Sequence, residues 1–512
     1  MASLAAAALA TPLLLASASP SAATRHDPGA QAAKDAAKLA KKLVSRSSAK
    51  DAFKHLEEFQ EIADEEGGNR AAGTPGYDAS AEYVYKQLKK YGYKPQYQAF
   101  TFLYTENQAE KLSVVSPAPR DIAISALTYT SSSPVGGIRA DLAAVPVDAT
   151  TGCEAGDYAS GTFTGKIALI KRGGCTFAQK QQVASEAGAV SAIIYNNVAG
   201  PLGGTLGGAD AARIPTGGIT LAEGESLTAA LAQGPVKVSF EVRQLRENRV
   251  THNVIAETKK GNAANTVVLG SHLDSVQAGP GINDNASGSA GLLEVARELN
   301  KAESRPANKV RFAWWGAEEN GLLGSEAYVA GLSELGKQEI KLYLNFDMIA
   351  SPNYGLFVYD GDNSDGVGAG PGPEGSAQLE RDINEFLDKR GTPHEGTDFS
   401  GRSDYGPFIE VGIPSGGTFT GAEGVKSAEQ AAKFGGTAGV AYDPNYHAAG
   451  DDINNISLKA FGVNIGIIAN AAGTYAHDIS SLTKPVVFVP TTPGTGSGGG
   501  LHEGHDHEEA TE

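Results

Sequence analysis

Two cysteines, Cys153 and Cys175, are all that 512 residues provide, too few for a thiolate metal site. Any metal bound by this chain must therefore be held by histidine and carboxylate. Basic residues are outnumbered too, 42 Lys and Arg against 59 Asp and Glu, for a net charge of −17. Nucleic-acid binding needs clustered Lys and Arg, so that class is excluded; the acidity suits a soluble protein that repels its own copies. The apolar run Leu4 to Ala18 is shorter than the roughly 20 residues of a membrane span, and Pro12 interrupts it. Membrane insertion is not expected.

What is present is globular: 41% hydrophobic and 20% charged residues, with 64 glycines and 24 prolines to make turns. The length suggests two or three domains. Residues 1–23 have the Ala- and Leu-rich character of an export signal, with Ala16-Ser17-Ala18 or Ser21-Ala22-Ala23 as cleavage sites. No Lys or Arg precedes Arg25, which leaves open a start upstream of Met1. Secretion is expected. In an exported chain Cys153 and Cys175 should form a disulfide, two buried free thiols being the alternative.

Phe53, Leu56, Phe59 and Ile62 recur at helical spacing before Gly67 and Gly68, and Val84, Leu88 and Tyr91 mark a second helix ended by Gly92. These belong to a first segment, 24–119. Residues 120–245 differ, with short apolar runs KIALI and SAIIY separated by a helical pattern. From 246 to 484 strand, loop and helix alternate: NVIAE, TVVLGSH, GLLEVARELN, KVRFAWWG, LYLNFDM. Such alternation predicts an α/β fold, a mixed, mostly parallel sheet with helices on both faces. From 485 to 512 the chain reads as a flexible linker and a His- and acid-rich tail, whose His502, His505 and His507 are expected to be solvated rather than to hold a metal.

The stretch GSHLDSVQAGPGINDNASGSAG, residues 270–291, sets His272, Asp274 and Asp284 among small residues. TVVLG reads as a buried strand, so His272 and Asp274 fall at its C-terminal end, where ligands bind in open α/β sheets. Two apart on a strand, they share a face, and Asp274 can fix the imidazole's tautomer. Downstream, RFAWWGAEE delivers Glu318 and Glu319, LYLNFDM delivers Asp347, and YDPNYH delivers Tyr446 and His447. Asp284, Glu319 and Asp347 carry three negative charges and two divalent cations four positive ones, so one hydroxide balances the remainder. That donor set points to two zinc ions, with Glu318 beside them as the general base.

The motifs SHLDS, GINDNASGSA, WWGAEE, NFDMI and DPNYH, with NRAAGTPGYDASAEYV, GRSDYGPF and GIPSGGTFTGA, resemble those of secreted dizinc aminopeptidases of clan MH, the bacterial leucine aminopeptidase type. The similarity covers about 50–120 and 245–480. GDYASGTFTGKIALIKRGGCTF makes 120–245 resemble the β-rich protease-associated insertion of aminopeptidase Y-like enzymes. The resemblance implies that His272 and Asp347 bind one zinc, Glu319 and His447 the other, and that Asp284 bridges them. Glu318 matches the family's general base and Tyr446 its oxyanion-stabilising tyrosine. Glu318, Asp347 and the Arg402 region would hold the substrate ammonium, and Phe419 would line the pocket for the first side chain. The implied partner is a peptide with a free N-terminus, acted on by a monomer.

Two features depart from the family, and one is left open. Asn445 and Gly450 stand where relatives carry a cysteine pair, which predicts a less constrained loop around His447. Tyr405 replaces a common histidine. Asp360 and Asp362 could bind calcium, as some relatives do, but calcium is left unassigned. The competing functions are a carboxypeptidase or dipeptidase of the same clan, and an inactive binding protein on the same fold.

Overall fold

The computed structural model describes residues 28–486. The export signal at 1–23 and all but the first two residues of the 485–512 tail lie outside them. In chain order the strands are β1 (Gln96–Ser116), β2 (Arg120–Ile122), β3 (Ser125–Ala126), β4 (Ile138–Ala144), β5 (Ile167–Lys171), β6 (Ser191–Tyr195), β7 (Thr216–Ile219), β8 (Lys237–Glu257), β9 (Asn262–His272), β10 (Asn308–Trp315), β11 (Ile340–Phe346), β12 (Phe357–Tyr359), β13 (Glu395–Thr397) and β14 (Ser415–Phe419). They join in one continuous sheet, ordered β13-β12-β14-β11-β9-β10-β8-β4-β5-β6-β7-β3, with β1 on β8 and β2 on β1. The centre is parallel, β14, β11, β9 and β10, and β8 closes it antiparallel. The fold is thus the mixed, mostly parallel sheet that the alternating pattern implies.

Helices α1 (Pro28–Arg46), α2 (Ala49–Glu65) and α3 (Pro75–Lys90) pack on one face. The GTPGY motif explains how α3 begins: Thr74 accepts from the Tyr77 N–H, and Pro75 occupies a first-turn position where its missing N–H costs nothing. Gly67, Gly68 and Gly92, all at φ near +90°, follow the ends of α2 and α3. The β1 strand then leads into the insertion, where β4 to β7 run parallel beneath α4 (Phe177–Glu186) and α5 (Leu221–Gln233). The β-rich insertion therefore contains its own small α/β layer and its own apolar clusters around Ile193 and Ile194.

β1 and β8 are each 21 residues long and pair from Gln96 opposite Ile255 to Ser116 opposite Lys237. One end of this ribbon pairs with β10 of the main sheet and the other with β4 of the insertion. The transition thus falls inside two strands, and the ribbon is interrupted by a register shift between Asn107 and Ala109.

Helix α6 (Ser287–Ala302) and the helix Leu458–Tyr475 cover the face that also holds α1, α2 and α3, burying Leu293, Ile465 and Phe312 in the largest core. The opposite face packs Trp315, Tyr343, Tyr328 and Phe408. Strands β9, β10 and β11, buried on both faces, are near-continuous apolar runs for that reason.

Cys153 and Cys175 form a disulfide, 22 positions apart. Closing a loop of that length restricts the unfolded chain by about 3 kcal/mol. Replacing both cysteines by serine should lower the unfolding midpoint of the insertion in denaturant and leave zinc content unchanged. An unaltered midpoint would assign the crosslink no stabilising role.

Candidate metal centre and active site

Every one of these groups is delivered by a loop at the C-terminal end of a parallel strand or by a neighbouring loop. His272 ends β9, Glu318 and Glu319 follow β10, Asp347 follows β11, and Phe419 ends β14. Asp284 sits in the turn Ile282–Ala286 directly before α6, its own backbone extended rather than helical. The bare composition of 270–291 has a steric cause: a Cβ on Gly288 would collide with the Phe346 carbonyl, and one on Gly270 with the Tyr343 hydroxyl and Trp315 indole.

The side chains converge in two groups. The His272 Nε2 lies 3.1 Å from Asp347 Oδ1 and 3.2 Å from Asp284 Oδ1. The His447 Nε2 lies 3.0 Å from Glu319 Oε2 and 3.3 Å from Asp284 Oδ2. Asp284 therefore turns one carboxylate oxygen to each histidine. Glu318 Oε2 is farther, 3.8 Å from His272 Nε2, and faces the same space.

Supporting bonds fix this arrangement. Ser403 Oγ donates to Asp347 Oδ2 at 2.6 Å, and the Asp451 carboxylate accepts from the Asn283 and Asp284 N–H groups. The Asp274 carboxylate accepts from the Glu318 and Glu319 N–H groups at 3.2 and 3.3 Å. For the His272 Nδ1 its nearest acceptor is the Asp274 backbone carbonyl at 3.2 Å, the carboxylate standing at 3.7 Å. Asp274 thus serves the imidazole mainly through its main chain, while its side chain holds the Glu318–Glu319 turn.

Arg70 went unnoticed in the sequence except as part of NRAAGTPGY. Fully buried, its guanidinium donates to the carbonyls of Leu273, Pro280 and Gly281, tying down both ends of the loop after His272. Burial lowers it to about 10, still charged at neutral pH. A buried arginine has no local sequence signal; only an Arg before a glycine-rich helix start hints at it. Ser403 and Asp451 were likewise missed, because each acts through a ligand carried elsewhere in the chain.

The His447 loop is more constrained than the absence of a cysteine pair suggested. Asn445 donates to Asn455, Asn455 donates to Asp443 and Asp451, and Asn283 donates to Asp443. A Cβ at Gly450 would strike the Asn445 side chain, so the two positions still meet. Tyr405 is an aromatic wall: its ring packs against Tyr359 and Phe399, and its hydroxyl accepts from the Gly401 N–H. It lines a pocket with Met348, Tyr359, Phe419 and Ala422, beside Glu318, Asp347 and Tyr446. Arg402 donates from Nη1 to Glu423 at 2.8 Å and from Nη2 to the Tyr446 hydroxyl at 3.0 Å.

Asp360, Asp362 and Glu380 also lie close together. Asp360, however, already accepts from the Ser364 and Asp365 N–H groups, a turn that solvates itself, and calcium remains unassigned.

The electrostatics of the convergent groups call for cations. Burial works to lower His447, yet Glu319 and Asp284 override it and hold the imidazole up at about 10. The same contest, against Glu318 and Asp347, holds His272 well above the ordinary histidine range. Burial pushes Glu318 well above the usual carboxylate range, and Glu319 upward too. The histidines thus keep protons that only balance their carboxylates. The donors fit zinc: they are nitrogen and oxygen, and the Glu319 Oε1 is buried without a hydrogen bond.

Residues 253–472 match the model of peptidase family M28, and 138–227 that of the PA domain. Leucine aminopeptidase 2 of Trichophyton tonsurans is 44% identical over 458 residues, spanning 89% of this chain and 88% of that relative. This chain belongs to peptidase family M28. A probable lipoprotein aminopeptidase of Mycobacterium tuberculosis is 43% identical over 464 residues, 89% of this M28 peptidase and 91% of the relative. Among solved structures, the aminopeptidase of Aneurinibacillus sp. strain AM-1 superposes with a TM-score of 0.68 at 30% identity, covering 88% of this chain and 99% of that one. A zinc aminopeptidase of Bacillus subtilis gives 0.61 at 27%, covering 83% and 94%.

Zinc held by His272 and His447 would displace the protons on them, so its binding would be linked to pH. Proton competition makes apparent affinity fall as pH drops below the raised histidine values. Calorimetric titration of the metal-free protein with zinc at pH 7, in buffers of different ionisation enthalpy, should report net proton release. Zero release would contradict protonated histidines in the metal-free site.

Proposed function

We propose that this M28 peptidase is a secreted, monomeric dizinc aminopeptidase that removes single N-terminal residues from peptides, large apolar ones such as leucine foremost. The observation carrying this reading is Asp284, whose two oxygens face two separate histidine–carboxylate groups beside an apolar pocket. The named activities of the relatives agree with it. Secretion is supported by the N-terminal pattern and the disulfide. Among the described residues no helix is long and apolar enough to cross a membrane.

His272 and Asp347 would hold one zinc, His447 and Glu319 the other, with Asp284 shared between them. Bound there, the pair would supply Lewis acidity and a water of lowered pKa. Glu318, close to both groups yet outside the ligand set, takes the water proton as the oxygen adds to the scissile carbonyl. It then delivers that proton to the leaving amine as the C–N bond breaks. Tyr446 donates its hydroxyl hydrogen toward the oxyanion. Glu318 and Asp347 face the free ammonium, and Met348, Tyr359, Tyr405 and Phe419 receive the apolar side chain.

A carboxypeptidase would need a guanidinium free to grip the substrate carboxylate. The one arginine lining the pocket, Arg402, is engaged with Glu423 and Tyr446. An inactive binding protein would have lost ligands or base, and here all of them converge.

Glu318→Gln should retain both zincs while lowering kcat by at least about 10²–10⁴-fold, the range of a lost general base. Zinc analysis of the variant decides the matter, since loss of an ion would move Glu318 into the ligand set. N-acetylation of a Leu-leading peptide should abolish cleavage, and C-terminal amidation should barely change it. The reverse pattern would replace the aminopeptidase with a carboxypeptidase on the same metal centre.

A further inference from the structure

Arg402 is usefully placed for something other than holding substrate. A guanidinium repels an ammonium, and one of its nitrogens, Nη1, is already fixed by Glu423. The other nitrogen donates to the Tyr446 phenolic oxygen. A hydroxyl oxygen that accepts from an arginine directs its own hydrogen to a different acceptor. The Tyr446 ring, meanwhile, is stacked on His447 with centroids 3.8 Å apart, so it cannot swing away without disturbing that ring. Ring and oxygen are then each held by a separate contact. Among the described residues, Asp284, Glu318 and Asp347 border the pocket that Arg402 and Tyr446 share.

We propose that Arg402, braced by Glu423, is a positioning residue that aims the Tyr446 hydroxyl hydrogen at the reacting carbonyl oxygen. This rests on the oxyanion role given to Tyr446 above. The pair acts as a fork: Glu423 sets the guanidinium plane, and the guanidinium sets the direction of the phenol. The effect belongs to the transition state, where the oxyanion forms, and not to substrate binding. It therefore appears in kcat with KM nearly unchanged.

The test is a double-mutant cycle on the zinc-loaded enzyme, with leucine p-nitroanilide as substrate and zinc content measured for every variant. Tyr446→Phe should lower kcat by about 10²–10³-fold, as for one lost oxyanion donor. Arg402→Met should lower kcat roughly 10-fold at unchanged KM and full zinc, Arg402→Lys should recover part of that, and Glu423→Gln should give a smaller loss of the same kind. In the Tyr446→Phe background, Arg402→Met and Glu423→Gln should cost nothing further. Losses that multiply, or an Arg402→Met effect confined to KM, would overturn the positioning role and leave the Tyr446 assignment standing. Full kcat in Tyr446→Phe would remove both. Should Arg402→Met fail to fold, Glu423→Gln in the two backgrounds decides the same question.

Discussion

Four carboxylates, Asp284, Glu318, Glu319 and Asp347, are packed around two imidazoles, His272 fully shielded from water and His447 partly exposed. Like charges at such separations repel strongly in a low dielectric. Without cations, the surrounding carboxylates hold His272 and His447 above the usual imidazole range, and burial holds Glu318 above the usual carboxylate range. Divalent ions held there would bring more positive charge to the same place. Ala317 beside Glu318, Met348 beside Asp347, and His447 itself all have φ near +50°. Such conformations cost on the order of 1 kcal/mol each or more. Zinc binding is worth on the order of 10 kcal/mol, so the strain is affordable once metal is bound.

The ligands sit on loops, and loops are ordinarily the mobile part of a fold. Here each is tied from behind by groups that never meet substrate. Arg70 clamps three carbonyls around the 273–281 turn, Asp451 holds the Asp284 backbone, and Asp274 holds the Glu318–Glu319 backbone. The asparagine and aspartate network at Asn283, Asp443, Asn445 and Asn455 does for the His447 loop what a crosslink could do elsewhere. A buried network of this kind is worth most when every member is satisfied.

How much of this could be read from the sequence depended on whether a residue's task is local. His272, Asp347 and Glu319 follow apolar strands, and strand ends are visible as changes in period, so candidates and fold were legible. The helix α1 escaped notice because its apolar face is mostly alanine, Ala36 and Ala40 beside Leu39 and Leu43, too small to stand out. The continuous strands β1 and β8 escaped because their solvent-facing halves, such as ENQAEK, alternate weakly. Arg70, Ser403 and Asp451 act on partners far along the chain, and a single sequence records no such pairing. Spacing places Asp274 beside His272, but its carboxylate accepts from the Glu318 and Glu319 amides, which only the fold brings near.

The insertion's place follows from the same ribbon. Val254 of β8 pairs with Trp314 of β10, four residues before Glu318, and on its other side with Tyr97 of β1. Further along, Phe240 of the same strand pairs with Ile138 in the insertion. A hinge between domains normally lies in a short linker where few contacts cross. Here the crossing is a paired double strand whose hydrogen bonds would have to break before either strand could bend sharply. The register shift at Asn107 and Ala109 adds twist to the ribbon without opening it. A contact also reaches from the metal-site loop, where Gln277 donates to the Thr105 carbonyl of β1. The loop after His272 is therefore anchored to the strand that carries the insertion, which makes the ribbon part of the frame that holds the metal centre.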